Sequence, residues 1–161
     1  MTGAYGSEIR PRRPTLDAGR LWTGGAATAL VAALCTVVGI LLARGVFDVP
    51  VLAPKGKGVW GDASTGWYAV GAAVAAFLAT GLMHLLVLYT PRPMRFFGWI
   101  VALVTAAMVL APFTTGDAMA SKVATALLNL ALGIVIGSLV AGTARSAVLT
   151  VARRPAQDGY A

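Results

Sequence analysis

Four apolar stretches, each close to the roughly 20 residues an α-helix needs to cross a bilayer, take up most of this chain. The first three are LWTGGAATALVAALCTVVGILLAR over 21–44, GWYAVGAAVAAFLATGLMHLLVLY over 66–89 and MRFFGWIVALVTAAMVLAPF over 94–113. The fourth, over 121–143, contains TALLNLALGIVIGSLVAG. Hydrocarbon offers no water to a free backbone N–H or C=O, so each run is predicted to be a helix. Only 12% of the 161 residues are charged and 58% are hydrophobic. That balance excludes a soluble domain of this size. The expected fold class is all-α: an integral membrane antiparallel four-helix bundle forming one domain over 21–143.

The first run is read as a span rather than a cleaved signal. Leu34 stands before Cys35 where a lipoprotein cleavage site wants a small residue, and the apolar run continues to Ala43. Orientation follows from Lys and Arg. Arg10, Arg12, Arg13, Arg20, Arg92, Arg95, Arg145, Arg153 and Arg154 fall on one side; Arg44, Lys55, Lys57 and Lys122 fall on the other. The richer side is predicted to be cytoplasmic, so both termini lie inside. Trp22, Tyr89, Phe96, Phe97 and Trp99 form the predicted inner aromatic belt, and Trp60, Trp67, Tyr68 and Phe113 the outer one. Residues 1–20 are expected to be a disordered cytoplasmic tail, and 144–161 a helical extension and tail.

The connections are unequal. Pro91 and Pro93 make a tight inner turn. Thr115, Asp117 or Ser121 can cap the fourth helix. The first outer loop, GVFDVPVLAPKGKGVWGDAST, is longer than a connection requires, and its apolar start predicts that it rests on the bundle or in the headgroups. Arg44, Asp48, Asp117 and Lys122 lie at this outer rim, where ion pairs can pin the loop at little energetic gain.

Small and polar residues recur every four positions within the spans. Ser121, Thr125, Asn129, Gly133, Gly137 and Ala141 do so on the fourth, Ala72, Ala76, Thr80 and His84 on the second, and Gly98, Ala102 and Ala106 on the third. Lipid gives little hydrophobic drive for helix association, so close packing and interhelical hydrogen bonds must supply it. Gly133, Gly137, Ala72, Ala76 and Gly98 are therefore the predicted packing positions. Asn129 is predicted to hydrogen-bond a neighbouring helix. His84 is the only ionisable residue well inside a span, which makes it the sharpest functional candidate. The favoured reading is a neutral imidazole bonded to a neighbouring helix, with proton sensing second. Ser138 matches its depth, but it lies on a continuous helix with no evident oxyanion site. No catalytic, metal or cofactor site is assigned, since paired acid–base groups, metal-ligand clusters and phosphate loops are absent from the sequence.

RLWTGGAATAL, RGVFDVPVLAP, TPRPMRFFGWIVAL and PFTTGDAMASKVATALLNLALGIVIGS resemble an uncharacterised family of actinobacterial four-span membrane proteins, a domain-of-unknown-function family. The resemblance covers most of residues 20–143 and implies a bacterial plasma membrane protein without an activity to transfer. Two functions remain open. One is a non-enzymatic structural or accessory membrane protein acting through helix packing and outer-loop contacts. The other is a small transporter or channel with His84 and Asn129 as polar interior groups. The expected partners are the bilayer, anionic lipid at the cytoplasmic face, and a second copy or another membrane protein. Nucleic acid is not among them, because the basic residues lie between apolar runs rather than on one folded face. On a background lacking Cys35, an impermeant thiol reagent should label Lys57→Cys from outside and Gly159→Cys only after permeabilisation. Outside labelling at 159 would refute the orientation.

Overall fold

The computed structural model describes residues 17–49, 51 and 64–153. Four helices follow one another: α1 (Ala18–Gly45), α2 (Ser64–Tyr89), α3 (Pro93–Leu110) and α4 (Met119–Arg153), with a 3-10 turn over Ala111–Thr114 extending α3. All four are long and apolar enough to cross a membrane. Asp17 starts α1 by accepting a bond from the Arg20 N–H at 3.2 Å. Helix therefore begins three residues before the apolar run and takes in 18–20, which the sequence had assigned to the tail. Pro93 stands in the first turn of α3, where its missing N–H costs nothing. Ser121 does not cap α4, which has already begun at Met119; Ser121 is buried in its first turn. Thr115 bonds the Pro112 carbonyl instead, at 2.8 Å.

The bundle is antiparallel but not square. α1 packs on α2 and α4, α3 packs chiefly on α4 and less on α2, and α1 and α3 are not adjacent among the described residues. Gly24 of α1 meets Thr143 of α4, while Gly39, further along α1, meets Leu128, which is earlier in α4. The contacts thus run in opposite directions.

Small residues share the interior with a few large ones, Leu21, Met83, Phe97 and Val140 among them. Leu30, Val38, Leu78, Leu103, Leu127 and Ile134 face outward, whereas Ala32, Ala76, Ala144, Thr28, Thr36 and Thr80 are buried. Large apolar groups meet lipid tails as readily as they meet protein, so small groups, which let backbones approach closely, gain most by facing a helix. The buried threonines keep their hydroxyls on their own helix: Thr28 donates to the Gly24 carbonyl at 2.8 Å, Thr36 to Ala32 at 2.8 Å and Thr80 to Ala76 at 2.9 Å. Their methyl-bearing sides are left free to fill space.

Three glycines receive threonines. A Cβ on Gly24 would lie 2.5 Å from Thr143 Cγ2, one on Gly25 would lie 2.6 Å from Thr80 Cγ2, and one on Gly133 would collide with Thr105. Successive helical residues point about 100° apart, so the Gly24–Gly25 pair opens α1 toward two neighbours at once. Gly137 meets Val101, where a Cβ would lie 2.9 Å from Cγ1. Gly98 differs from expectation. Nothing lies within 4 Å of its Cβ position, because Phe97, Val101 and Thr105 carry the α4-facing side of α3 and Gly98 is one residue off that side.

Two belt assignments also change. Phe97 is buried on the α4-facing side of α3, and Tyr68 turns inward. Trp22, Phe96, Trp99, Trp67, Phe113 and Tyr89 are exposed; Trp60 lies outside the described residues. At the end of α1, Asp48 adopts φ 51°, a left-handed conformation that Asp tolerates better than most residues. The Val49 N–H then reaches the Ala43 carbonyl at 2.9 Å, and Val51 is buried in the core. Of the first outer loop, residues 50 and 52–63 lie outside the described residues.

Gly133→Ala should destabilise the bundle by about 1–3 kcal/mol through overpacking. Thr105→Ala in the same chain should restore most of the loss. Gly142→Ala, whose Cβ would meet nothing within 4 Å, should not destabilise. Thermal unfolding of the four proteins in one detergent checks all three expectations.

Candidate functional site

Asn129 is bonded by both ends of its side-chain amide. Its Nδ2 donates to the Met108 carbonyl of α3 at 2.7 Å, and its Oδ1 accepts the Tyr68 hydroxyl of α2. The amide orientation follows from chemistry, since only the nitrogen end can donate to a carbonyl. One side chain on α4 therefore ties three helices together.

Met108 is the acceptor for a definite reason. In an α-helix its carbonyl would take the N–H four residues later, and that residue is Pro112. Proline has no N–H, so the carbonyl is released from the helix ladder inside the span. A carbonyl left without a donor in hydrocarbon is unfavourable, and Asn129 supplies the donor. The 3-10 turn over Ala111–Thr114 begins where the α-helical ladder fails. Asn129 is thus bonded on the side where Gly133 and Gly137 meet α3. The sequence reading missed Tyr68 as a partner and Pro112 as the cause of the free carbonyl. A proline near the end of an apolar run was the available signal, because it announces a carbonyl in need of a donor.

His84 is placed differently from expectation. Its Nδ1 is buried and has no hydrogen-bond partner, and its ring lies 6.5 Å from that of Trp22 at 51°. Trp22, Phe77, Leu78, His84 and Leu85 line an open apolar groove of about 600 Å³ between α1 and α2. The buried line on α2 runs Ala72, Ala76, Thr80 and then Met83, not His84. Steps of four overshoot a full turn by about 40°, so the fourth member of a strict four-residue series has left the contact and a step of three replaces it.

Ser138 is exposed on α4 and donates to the Val135 carbonyl at 3.1 Å. It borders a second groove, between α3 and α4, so His84 and Ser138 are not brought together. Thr80 fills the notch at Gly25. At the other end of the bundle Asp48 and Asp117 are exposed, while Arg44 and Lys122 are half-buried. No group of three or more His, Cys, Asp or Glu side chains among the described residues could hold a metal ion. Cys35 is a free, half-buried thiol.

Four apolar spans, glycine notches filled by threonine and an amide tying three helices define a multi-pass α-helical membrane protein. Its core is built for close helix contact. Residues 16–146 match the model of a family of unknown function, DUF6069, and the chain belongs to that family. No curated protein and no solved structure matches it.

Asn129→Leu should cost about 1 kcal/mol, the usual scale of an interhelical hydrogen bond in a membrane. In a Pro112→Ala background the same change should cost less, because residue 112 then supplies an N–H to the Met108 carbonyl. A double-mutant cycle on unfolding free energy in detergent checks this, and strict additivity would contradict the proline argument.

Proposed function

We propose that the protein is a non-enzymatic accessory protein of a bacterial plasma membrane. Both termini are cytoplasmic, and it works by lateral contact with another membrane component through its outward helix faces and outer loop. One observation carries this reading. Most of the polar groups buried between the spans are already bonded within the protein: Asn129 to two neighbouring helices by both ends of its amide, and Thr28, Thr36 and Thr80 to carbonyls of their own helices, with His84 Nδ1 the exception. A conduit needs polar groups that stay available to the permeating species along a path. The notches at Gly24, Gly25, Gly39 and Gly133 are filled by neighbouring side chains, which also argues against such a path among the helices.

α3 supports the same reading from outside. It is the least buried of the four spans, and α4 is its main neighbour. Its outward surface is available to a partner in the bilayer. The alternative, a small transporter or channel, draws on the buried, partnerless Nδ1 of His84. Purification from native membranes in a gentle detergent should recover the protein with a second membrane component at fixed stoichiometry. The purified chain should give liposomes no more proton or ion flux than empty ones. A flux abolished by His84→Gln in a normally folded protein would replace the accessory reading with transport.

A further inference from the structure

Between α3 and α4 runs an apolar groove of about 640 Å³, bordered by Gly98, Ala102 and Ala106 on one side and Ile134, Ser138 and Arg145 on the other. From Leu130 to Arg145 it extends about 22 Å at roughly 1.5 Å per residue. One leaflet's hydrocarbon is about 15 Å deep, half the core. The groove therefore runs from one membrane surface past the end of an acyl chain in that leaflet.

Its surface end is basic. Gly133 faces Thr105 and Gly137 faces Val101, so the same antiparallel register brings Arg145 level with Pro93, the first residue of α3. Arg92 and Arg95 flank that helix start, and both are exposed, as is Arg145. The α3 N-terminus has no side-chain cap, since its N-cap residue is Arg92, which has no side-chain acceptor to offer. Its first-turn N–H groups add positive character beside the three guanidinium groups. Asp17, the described carboxylate at this end of the bundle, caps α1, and α1 is not adjacent to α3 among the described residues.

We propose that this groove binds one anionic phospholipid, with an acyl chain along Gly98, Ala102 and Ala106 and the phosphate held by Arg145 at the start of α3. The match is one of charge and shape together: an apolar groove long enough for one leaflet's acyl chain that opens on guanidinium groups. A second copy of the chain fits the face less well. Copies in one membrane share an orientation, so a two-fold dimer on this face would bring both sets of Arg92, Arg95 and Arg145 to the same level. The site extends beyond the accessory reading and does not depend on which side of the membrane α3 begins.

The full chain, purified in mild detergent, is incubated with phosphatidylglycerol or phosphatidylcholine of identical acyl chains, and lipid retention is read by native mass spectrometry. Wild type should retain phosphatidylglycerol preferentially, at one per chain. Arg145→Gln should lower that retention about five-fold, the effect of losing one basic residue near an anionic surface. Gly98→Leu, whose Cβ would meet nothing within 4 Å, should lower retention of both lipids by filling the groove. Lipid-free melting temperatures verify that both variants fold. Equal retention of the two lipids by wild type, or undiminished phosphatidylglycerol on Arg145→Gln, would overturn the site. So would stabilisation by water-soluble glycerol 3-phosphate equal to that by the lipid, or an Ala102→Cys cross-link between copies in native membranes. The flux measurement bears only on the accessory reading, so the two ideas fail separately.

Discussion

Lipid tails solvate leucine as well as a protein core does, so nothing in the hydrocarbon pushes these helices together. Cohesion has to come from contacts that lipid cannot reproduce. The chain uses two kinds. A glycine removes a side chain so that a threonine from the next helix can enter, as at Gly24, Gly25 and Gly133. An amide gives a stranded carbonyl the donor that no acyl chain offers, as Asn129 does for Met108. The two meet on the α3-facing side of α4. Without them α3 would have little to hold it, because it is not adjacent to α1 among the described residues and is the least buried span.

Much of this was legible in the residues. Runs of the right length with no charge well inside them read as spans, since hydrocarbon allows only helices there. The four-residue recurrence picked out Ala72, Ala76, Gly133 and Gly137 as small positions suited to packing, and in the structure each is buried or set against a neighbouring helix. Other features were not legible, for physical reasons. A four-residue series does not close on a helix of 3.6 residues per turn, so its end drifts; this turned His84 away and gave its place to Met83. Gly98 resembles a packing glycine in sequence, but a small residue marks a close approach only where a neighbour is present. The third helix shows its small stripe to the outside.

Partner identity was the hardest to read. Asn129 announces that it must bond something, yet its partners lie 61 and 21 residues away in sequence. Tyr68 looks like an interfacial aromatic from its place near a span end, and only the assembled bundle shows it pointing inward. Pro112 looks like a helix terminator. Its effect appears four residues earlier, on a carbonyl, and takes shape only when α4 lies alongside.

The paired glycines of α1 have a consequence for how the chain comes together. Gly24 and Gly25 open onto different helices: Thr80, which receives Gly25, is on α2, and Thr143, which receives Gly24, is near the far end of α4. During synthesis α2 becomes available early and α4 last. α1 and α2 can therefore zip into a hairpin while one flank of α1 stays open. α3 meets that hairpin only at α2, and α4 then brings the glycine notches and the asparagine that hold its other side. Of the four helices α4 is the one that both completes the flank of α1 and gives α3 its main seat.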